Sequence, residues 1–234
     1  MIRAGFLILL IVAGGYQKAF AQTHNEFEQQ MLELFNQGKF SEAIPYAIQA
    51  KDAAKKEYGD TATRYLLSLT NLAFIYEKME NYAATEPLYT EVISIRKRTV
   101  GENHPAYAVA LNDLANAYFP SKKFEAALPL YQKAVAIQGK VYGKLHPEYG
   151  VIAKNLANLY YEMGQFGKAI PLYEDCMAMT RKLKGDKDPE YYSVLEVLSL
   201  AQVDIGNYKA AISLYTELAE LYKQKPGRTT RTML

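Results

Sequence analysis

What most limits the fold of this chain is a period. Gly59, Gly101, Gly143 and Gly185 stand 42 residues apart, and many other columns keep the same step. Tyrosine holds 65, 107, 149 and 191, and again 89, 131, 173 and 215. Leucine holds 72, 114, 156 and 198, tyrosine 76, 118 and 160, and proline 45, 87, 129 and 171. An aromatic recurs as Phe40, Tyr82, Phe124, Phe166 and Tyr208. So many independent columns on one spacing mean one supersecondary unit used repeatedly, and such units are stable only when stacked.

The cleanest copy runs from Gly143 to Lys184. Gly143 follows a long apolar-periodic run, where a helix end calls for a left-handed residue. Pro147 can open the next helix, because the first helical N–H groups lack partners anyway. Val151, Ile152, Leu156, Ala157, Leu159 and Tyr160 then give an amphipathic stripe. Gly164 breaks that helix. Phe166, Ala169, Ile170, Leu172, Tyr173 and Met177 give a second stripe. Two helices of about 15–18 residues would span roughly 25 Å each, and neither could bury its stripe alone.

The predicted class is therefore all-α, about five stacked helix-turn-helix repeats, at about 24–58, 59–100, 101–142, 143–184 and 185–224. The helices are expected at His24–Gly38 and Phe40–Tyr58, then about Thr61–Lys78 and Ala83–Thr99, then Pro105–Phe119 and Phe124–Tyr142. The fifth pair is Pro189–Ile205 and Tyr208 to about Lys223. The first repeat is degenerate, with Gln30 where later copies have leucine, as terminal repeats often are. Pro45, Pro87, Pro129 and Pro171 are expected in the first turn or so of a second helix, where a missing N–H costs little. Pro120 should end or distort the first helix of repeat three and reshape its surface.

The N-terminus reads as a separate object. Met1-Ile2-Arg3 is a short basic start, and Phe6 to Val12 an apolar run too short to span a bilayer. Ala19-Phe20-Ala21 fits a small-x-small cleavage pattern before Gln22. Residues 1–21 are expected to be a secretory signal peptide, the alternative being an uncleaved membrane anchor. The expectation is an exported protein of the periplasm and cell envelope or the extracellular space, with no stable membrane span after cleavage. Loss of Arg3 and Lys18 takes 27 basic residues to 25, equal to the 25 acidic ones. A neutral chain with no dense basic stripe argues against a nucleic-acid partner. A further segment, 225–234, is a basic tail.

Little in the sequence suggests reaction chemistry. The single cysteine, Cys176, excludes an intramolecular disulfide and falls in a column with Val92, Ala134 and Leu218, as a buried inert thiol would. His104 and His146 share one loop position. Asp188 takes it in the next copy, which favours helix-start hydrogen bonding over a metal pair. His24 carries little signal. No phosphate loop, nucleophile elbow or zinc signature is present, so no enzyme, cofactor or metal is expected. The many tyrosines are expected to pack between helices with a polar handle.

The segments Leu156-Ala157-Asn158-Leu159-Tyr160 and Phe166-Gly167-Lys168-Ala169 resemble the tetratricopeptide repeat. The 42-residue period, with Gly-x-x-His-Pro at 101–105 and 143–147, is similar to the longer kinesin-light-chain type. The resemblance covers residues 24–224 and departs from the pattern at Asp188, Val197 and Gln202. No heptad coiled coil precedes the array, and an exported chain is no motor subunit, so only the repeat architecture carries over. Similar bacterial arrays precede caspase-like peptidase domains, of which the sequence contains none.

The resemblance implies a right-handed α-solenoid whose first helices line a concave groove. Peptide binders of the family hold an extended backbone there with polar residues, asparagine above all. The matching positions are Asn71, Asp113 and Asn155, with Phe74, Asn116 and Asn158 one turn on. Thr70, Asn112 and Lys154 share that face, and Glu77, Phe119 and Tyr161 extend it. Asn112 with Asn116, and Lys154 with Asn158, are i,i+4 polar pairs. An asparagine amide donates and accepts, matching a peptide's N–H and C=O. The competing use of these residues is inter-repeat bonding or plain solvation. The function implied is an exported scaffold that binds a protein or peptide partner. The alternative is an accessory or truncated regulatory module docking through its last helix, which no extra polar helix caps. The oligomeric state is open.

Overall fold

The structure, a computed structural model, describes residues 23–223. The expected signal peptide and basic tail lie outside the described residues. Ten helices and no strand are present among those described: α1 (His24–Asn36), α2 (Phe40–Tyr58), α3 (Thr63–Lys78), α4 (Tyr82–Val100), α5 (Pro105–Tyr118), α6 (Phe124–Tyr142), α7 (Pro147–Glu162), α8 (Phe166–Lys184), α9 (Pro189–Asp204) and α10 (Tyr208–Lys223). The all-α helix-turn-helix repeat class is thus as expected. None of these helices is long and apolar enough to cross a membrane.

The first helices of the last three repeats start in one way. Pro105, Pro147 and Pro189 open α5, α7 and α9. The residue before each proline caps the helix. Nδ1 of His104 accepts from the Ala106 N–H at 3.1 Å, and Nδ1 of His146 from that of Glu148 at 3.2 Å. Asp188 Oδ1 accepts from the Glu190 N–H at 2.9 Å, so aspartate does what histidine does in the two earlier copies. The expected loop role of these histidines is therefore an N-cap, a bond of about 1 kcal/mol.

Each repeat turn needs a residue with positive φ. Gly143, at the end of α6, has φ 78° and ψ 165°, and Gly185 has φ 87° and ψ 170°. The positive φ was anticipated, but ψ is extended rather than left-handed helical, in a region essentially restricted to glycine. A second column lies in the turn inside each repeat: Gly38, Glu80, Lys122, Gly164 and Gly206 all have φ between 55° and 76°. Glutamate and lysine hide that column in the sequence, at a steric cost of roughly 1 kcal/mol each.

The four prolines of the second helices lie deeper than expected. Pro45 is the sixth residue of α2, and Pro87, Pro129 and Pro171 hold the same place in α4, α6 and α8. That is beyond the unpaired N–H groups of a first turn, so each removes a helix hydrogen bond. The helices continue because these positions face solvent, where water serves the released carbonyl.

The chain falls into two compact units, the first through Ile95 and the second from Arg96. In the first, Met31, Ala43, Ala47, Leu72 and Ile75 form the core. Phe35 packs against Phe40 and Phe74, with ring centroids 5.2 and 5.5 Å away. His24, which carried little signal in the sequence, is buried there. Its Nδ1 lies 3.0 Å from the Ala50 carbonyl and its Nε2 3.4 Å from Glu28, so it ties the first turn of α1 to α2. In the second unit, Tyr131, Tyr149, Leu156, Tyr173, Val194 and Leu198 share one core.

The tyrosine columns act as struts between the two helices of a repeat. Tyr65 donates to Glu91 at 2.7 Å, Tyr149 to Asp175 at 2.9 Å and Tyr191 to Glu217 at 2.7 Å, each 26 residues on. Lys133, at the same step from Tyr107, instead donates to its hydroxyl at 3.4 Å. Burial, with the carboxylate as acceptor, raises the Tyr65, Tyr149 and Tyr191 hydroxyls well above the ordinary phenol range. Each buried ring contributes about 2 kcal/mol of apolar transfer, and its hydroxyl stays paired, as a buried donor must.

Candidate functional site

The residues proposed for partner binding divide between the units. In the first, the Thr70 hydroxyl turns back to the Leu66 carbonyl at 3.0 Å, a bond within its own helix. Phe74 is exposed on α3, with Phe35 on one side and the Lys78 ammonium 4.8 Å from its ring centroid. Asn71 and Glu77 are half-buried. The second unit holds the better-defined arrangement.

There α5 and α7 bring three asparagines together. Asn155 Nδ2 donates to Asn112 Oδ1 at 2.9 Å and to Asn116 Oδ1 at 3.2 Å. The sequence pattern suggested polar pairs along one helix. The bonds instead run across repeats, because residue 155 faces the gap between 112 and 116 on the neighbouring helix. Asn116 Oδ1 also accepts from the Tyr131 hydroxyl at 2.6 Å, and Asn158 Oδ1 from that of Tyr173 at 2.8 Å. Both tyrosines are buried, and these asparagines supply an acceptor to each hydroxyl. The signal was present in two columns read separately: asparagine at 116 and 158 pairs with tyrosine fifteen residues later. Phe74 and Leu200 interrupt the asparagine column.

A cleft of about 140 Å³ opens over this ladder, lined by Asn116, Phe119, Pro120, Tyr131, Asn155 and Asn158. Five of its six lining residues were singled out in the sequence, Pro120 among them as a departure from the pattern. Tyr131 was assigned only to the packing column. Phe119 leans on Phe124, with centroids 5.6 Å apart, and so holds its ring at the cleft mouth. The Nδ2 groups of Asn116 and Asn158 have no protein partner among the described residues. They are the donors left for a ligand. Val109 and Val151 lie exposed on the same helices, one turn before Asn112/Asp113 and Asn155, and add an aliphatic row beside the polar one.

The remaining candidates are committed elsewhere. Lys154 pairs with Glu190 at 3.3 Å, and Glu190 in turn accepts from Lys184 at 2.7 Å. Those lysines hold the Glu190 carboxyl below its usual range. The Tyr161 hydroxyl donates to Asp204 at 2.8 Å, which raises that hydroxyl. Asp113, half-buried beside Asn112, is pushed up by burial to about 6, the 3.4 Å bond from the Asn112 amide opposing the rise. Cys176 is buried, its thiol directed at the Gly150 carbonyl at 3.4 Å and pushed up by burial to about 12, as an inert core thiol is. No group of three or more His, Cys, Asp or Glu that could hold a metal occurs among the described residues. What the arrangement offers is amide donors, a shallow cleft and apolar rims: the means of binding a polypeptide.

A family model for the tetratricopeptide repeat matches residues 64–140, 108–182 and 149–224. Among curated proteins none matches the sequence. Solved structures match over most of the length. A Podosopora anserina protein assigned as a kinesin light chain with nearly identical tetratricopeptide-like repeats is 22% identical, covering 89% of this chain and 97% of its own, with a TM-score of 0.72. BtubC from P. vanneervenii is 18% identical over 90% of this chain and 86% of its own, with a TM-score of 0.74. MamA from Desulfovibrio magneticus RS-1 is 15% identical over 88% and 99%, with a TM-score of 0.65. At these identities the likeness is one of fold alone.

Proposed function

Because this chain belongs to the tetratricopeptide repeat family, a fold typical of protein-interaction scaffolds, we propose that it is a non-enzymatic scaffold holding an extended segment of a protein partner against α5 and α7. The observation that carries this reading is the cleft over the asparagine ladder, with the Nδ2 donors of Asn116 and Asn158 left over at its lining. Peptide carbonyls accept from those amides, and small side chains lie against Phe119 and Pro120 in the cleft lining. The valine row beside the ladder suits alternate residues of an extended chain, which point to opposite sides.

The test follows from how the asparagines are used. Asn→Ala would remove an acceptor from the buried hydroxyl of Tyr131 or Tyr173, at about 1–3 kcal/mol, and confuse binding with stability. Asn116→Asp with Asn158→Asp keeps the acceptor oxygen and removes the donor. Peptides selected by display against the full chain should bind the double variant at least tenfold more weakly, about 1.4 kcal/mol, at unchanged melting temperature. Equal affinity would remove the cleft from the reading.

We also propose that the protein is exported, on the strength of the basic start, the apolar run and the Ala-Phe-Ala site at its N-terminus. Mass spectrometry of the exported protein should give an N-terminus at Gln22; one at Met1 would sink the cleavage.

A further inference from the structure

The cleft over the asparagine ladder has a counterpart one repeat on. Its lining comes from fixed columns: Asn116, Phe119, Pro120 and Tyr131 of one repeat, with Asn155 and Asn158 of the next. Forty-two residues later the same columns hold Asn158, Tyr161, Glu162, Tyr173, Val197 and Leu200. There α7 and α9 stand as α5 and α7 stand at the cleft. Tyr161 leans on Phe166 with ring centroids 5.1 Å apart, as Phe119 leans on Phe124. Tyr173 is buried and donates to Asn158, as Tyr131 does to Asn116. The bond from the Tyr161 hydroxyl to Asp204 ties the ends of α7 and α9 together. What differs is the α9 side, where Val197 and Leu200 replace the asparagines. Leu200 is 42% exposed and Val203, one turn on, 38%. Val197 is half-buried on the core that Tyr161 also packs against.

The amide ladder therefore stops at α9, and the next step of the row is aliphatic. A backbone amide laid on Leu200 would lose water and gain no partner, whereas a large apolar side chain loses only its contact with water. The free charges beside this step are carboxylates. Glu162 and Glu196 are exposed and ion-paired with no described residue, and Lys154, in the column of Glu196, is taken by Glu190. An acidic side chain or a terminal carboxylate is repelled there. Adjacent helices lie roughly 10 Å apart, which an extended segment crosses in about three residues. Building on the cleft reading above, we propose that the partner segment carries a large aliphatic or aromatic side chain about three residues from the one held between Asn116 and Asn158, and that Leu200, Val203 and the Tyr161 ring receive it. The asparagines hold the backbone of any segment. Leu200 sets which segment is held.

The probe is a random peptide library displayed and selected against the full chain. The binders should share a large apolar residue at that spacing. Replacing it by alanine in one of them should weaken binding to the wild type at least tenfold, about 1.4 kcal/mol. Leu200→Asn restores the residue of the two preceding copies, and at 42% exposure it keeps the wild-type melting temperature. Against this variant the same alanine replacement should cost less than about twofold, the signature of a coupled pair. Binders that depend on Asn116 and Asn158 yet share no such residue overturn the inference and leave the cleft reading standing. So do binders whose apolar preference survives Leu200→Asn. Binders indifferent to Asn116→Asp with Asn158→Asp remove the cleft reading, and the inference falls with it. A monomer–dimer equilibrium abolished by Leu200→Asn gives the surface to a second copy, and tighter peptide binding after removal of residues 224–234 gives it to the chain's own terminus. Either result overturns the assignment to a partner.

Discussion

Replacing Asp113 by asparagine should stabilise the protein at neutral pH and do nothing at pH 4. The carboxyl is half-buried on α5, where it accepts a 3.4 Å bond from the Asn112 amide. Burial lifts it from 3.8 to about 6. A carboxyl raised on folding binds its proton more tightly in the native state, so its contribution is fully present below the unfolded value. It is lost as pH rises through the folded one. Two units at 1.36 kcal/mol each set a ceiling of about 3 kcal/mol, and because the group is partly open to solvent about 1–2 kcal/mol is expected. Asparagine is the natural replacement, since Asn71 and Asn155 hold the same column and it has nearly the same volume. The assay is urea denaturation of both proteins at half-unit steps from pH 3.5 to 8. The difference between them cancels every other titrating group. It should be near zero at pH 4, open between pH 4 and 6, and stay level above. A gap that is constant with pH, or that widens toward acid, would refute the reasoning. If the stabilised variant also holds its partner less well, the buried carboxylate is retained for binding at the expense of stability.

Three further outcomes can be checked on the same material. Glu80→Gly and Lys122→Gly relieve a positive φ of 57° and 55°. Each should raise the denaturation midpoint by an amount equivalent to about 1 kcal/mol, whereas glycine at an exposed helical site costs that much. His146→Asp should match the wild type in thermal stability, because Asp188 caps α9 in the same way, while His146→Ala should lose about 1 kcal/mol. Cys176 should resist a maleimide at pH 8 in the native protein and react within minutes in denaturant; rapid native labelling would contradict its burial.

Much of the fold was legible because helix stacking is periodic. A stripe of apolar residues that cannot be buried alone, repeated every 42 residues, leaves few alternatives to stacked helix pairs, and the proline and glycine columns marked the ends. What escaped were features in which a local rule is overridden. Glu80 and Lys122 occupy a glycine position because stacking imposes the turn whatever residue stands there. The prolines sit a turn deeper than their missing N–H would favour because solvent serves the released carbonyls. His24, unremarkable in the sequence, is buried because α2 offers its backbone carbonyl.

The candidate site was legible as a set of columns but not as a set of bonds. Asn112, Asn116, Asn155 and Asn158 could be placed on one face of two helices from their numbers alone. Which of their amides remain for a ligand depends on distances across repeats, and there Asn155 spends its donor on Asn112 and Asn116. Lys154 and Tyr161 shared that face in the sequence, yet a carboxylate of α9 claims each of them. The order of residues along the chain therefore determined the helices, their period and their apolar faces, because these follow from local backbone sterics and 3.6-residue geometry. Only the tertiary structure decided which polar groups are satisfied within the protein and which are left to bind, because a hydrogen bond between repeats depends on the approach of two helices, which no local pattern encodes.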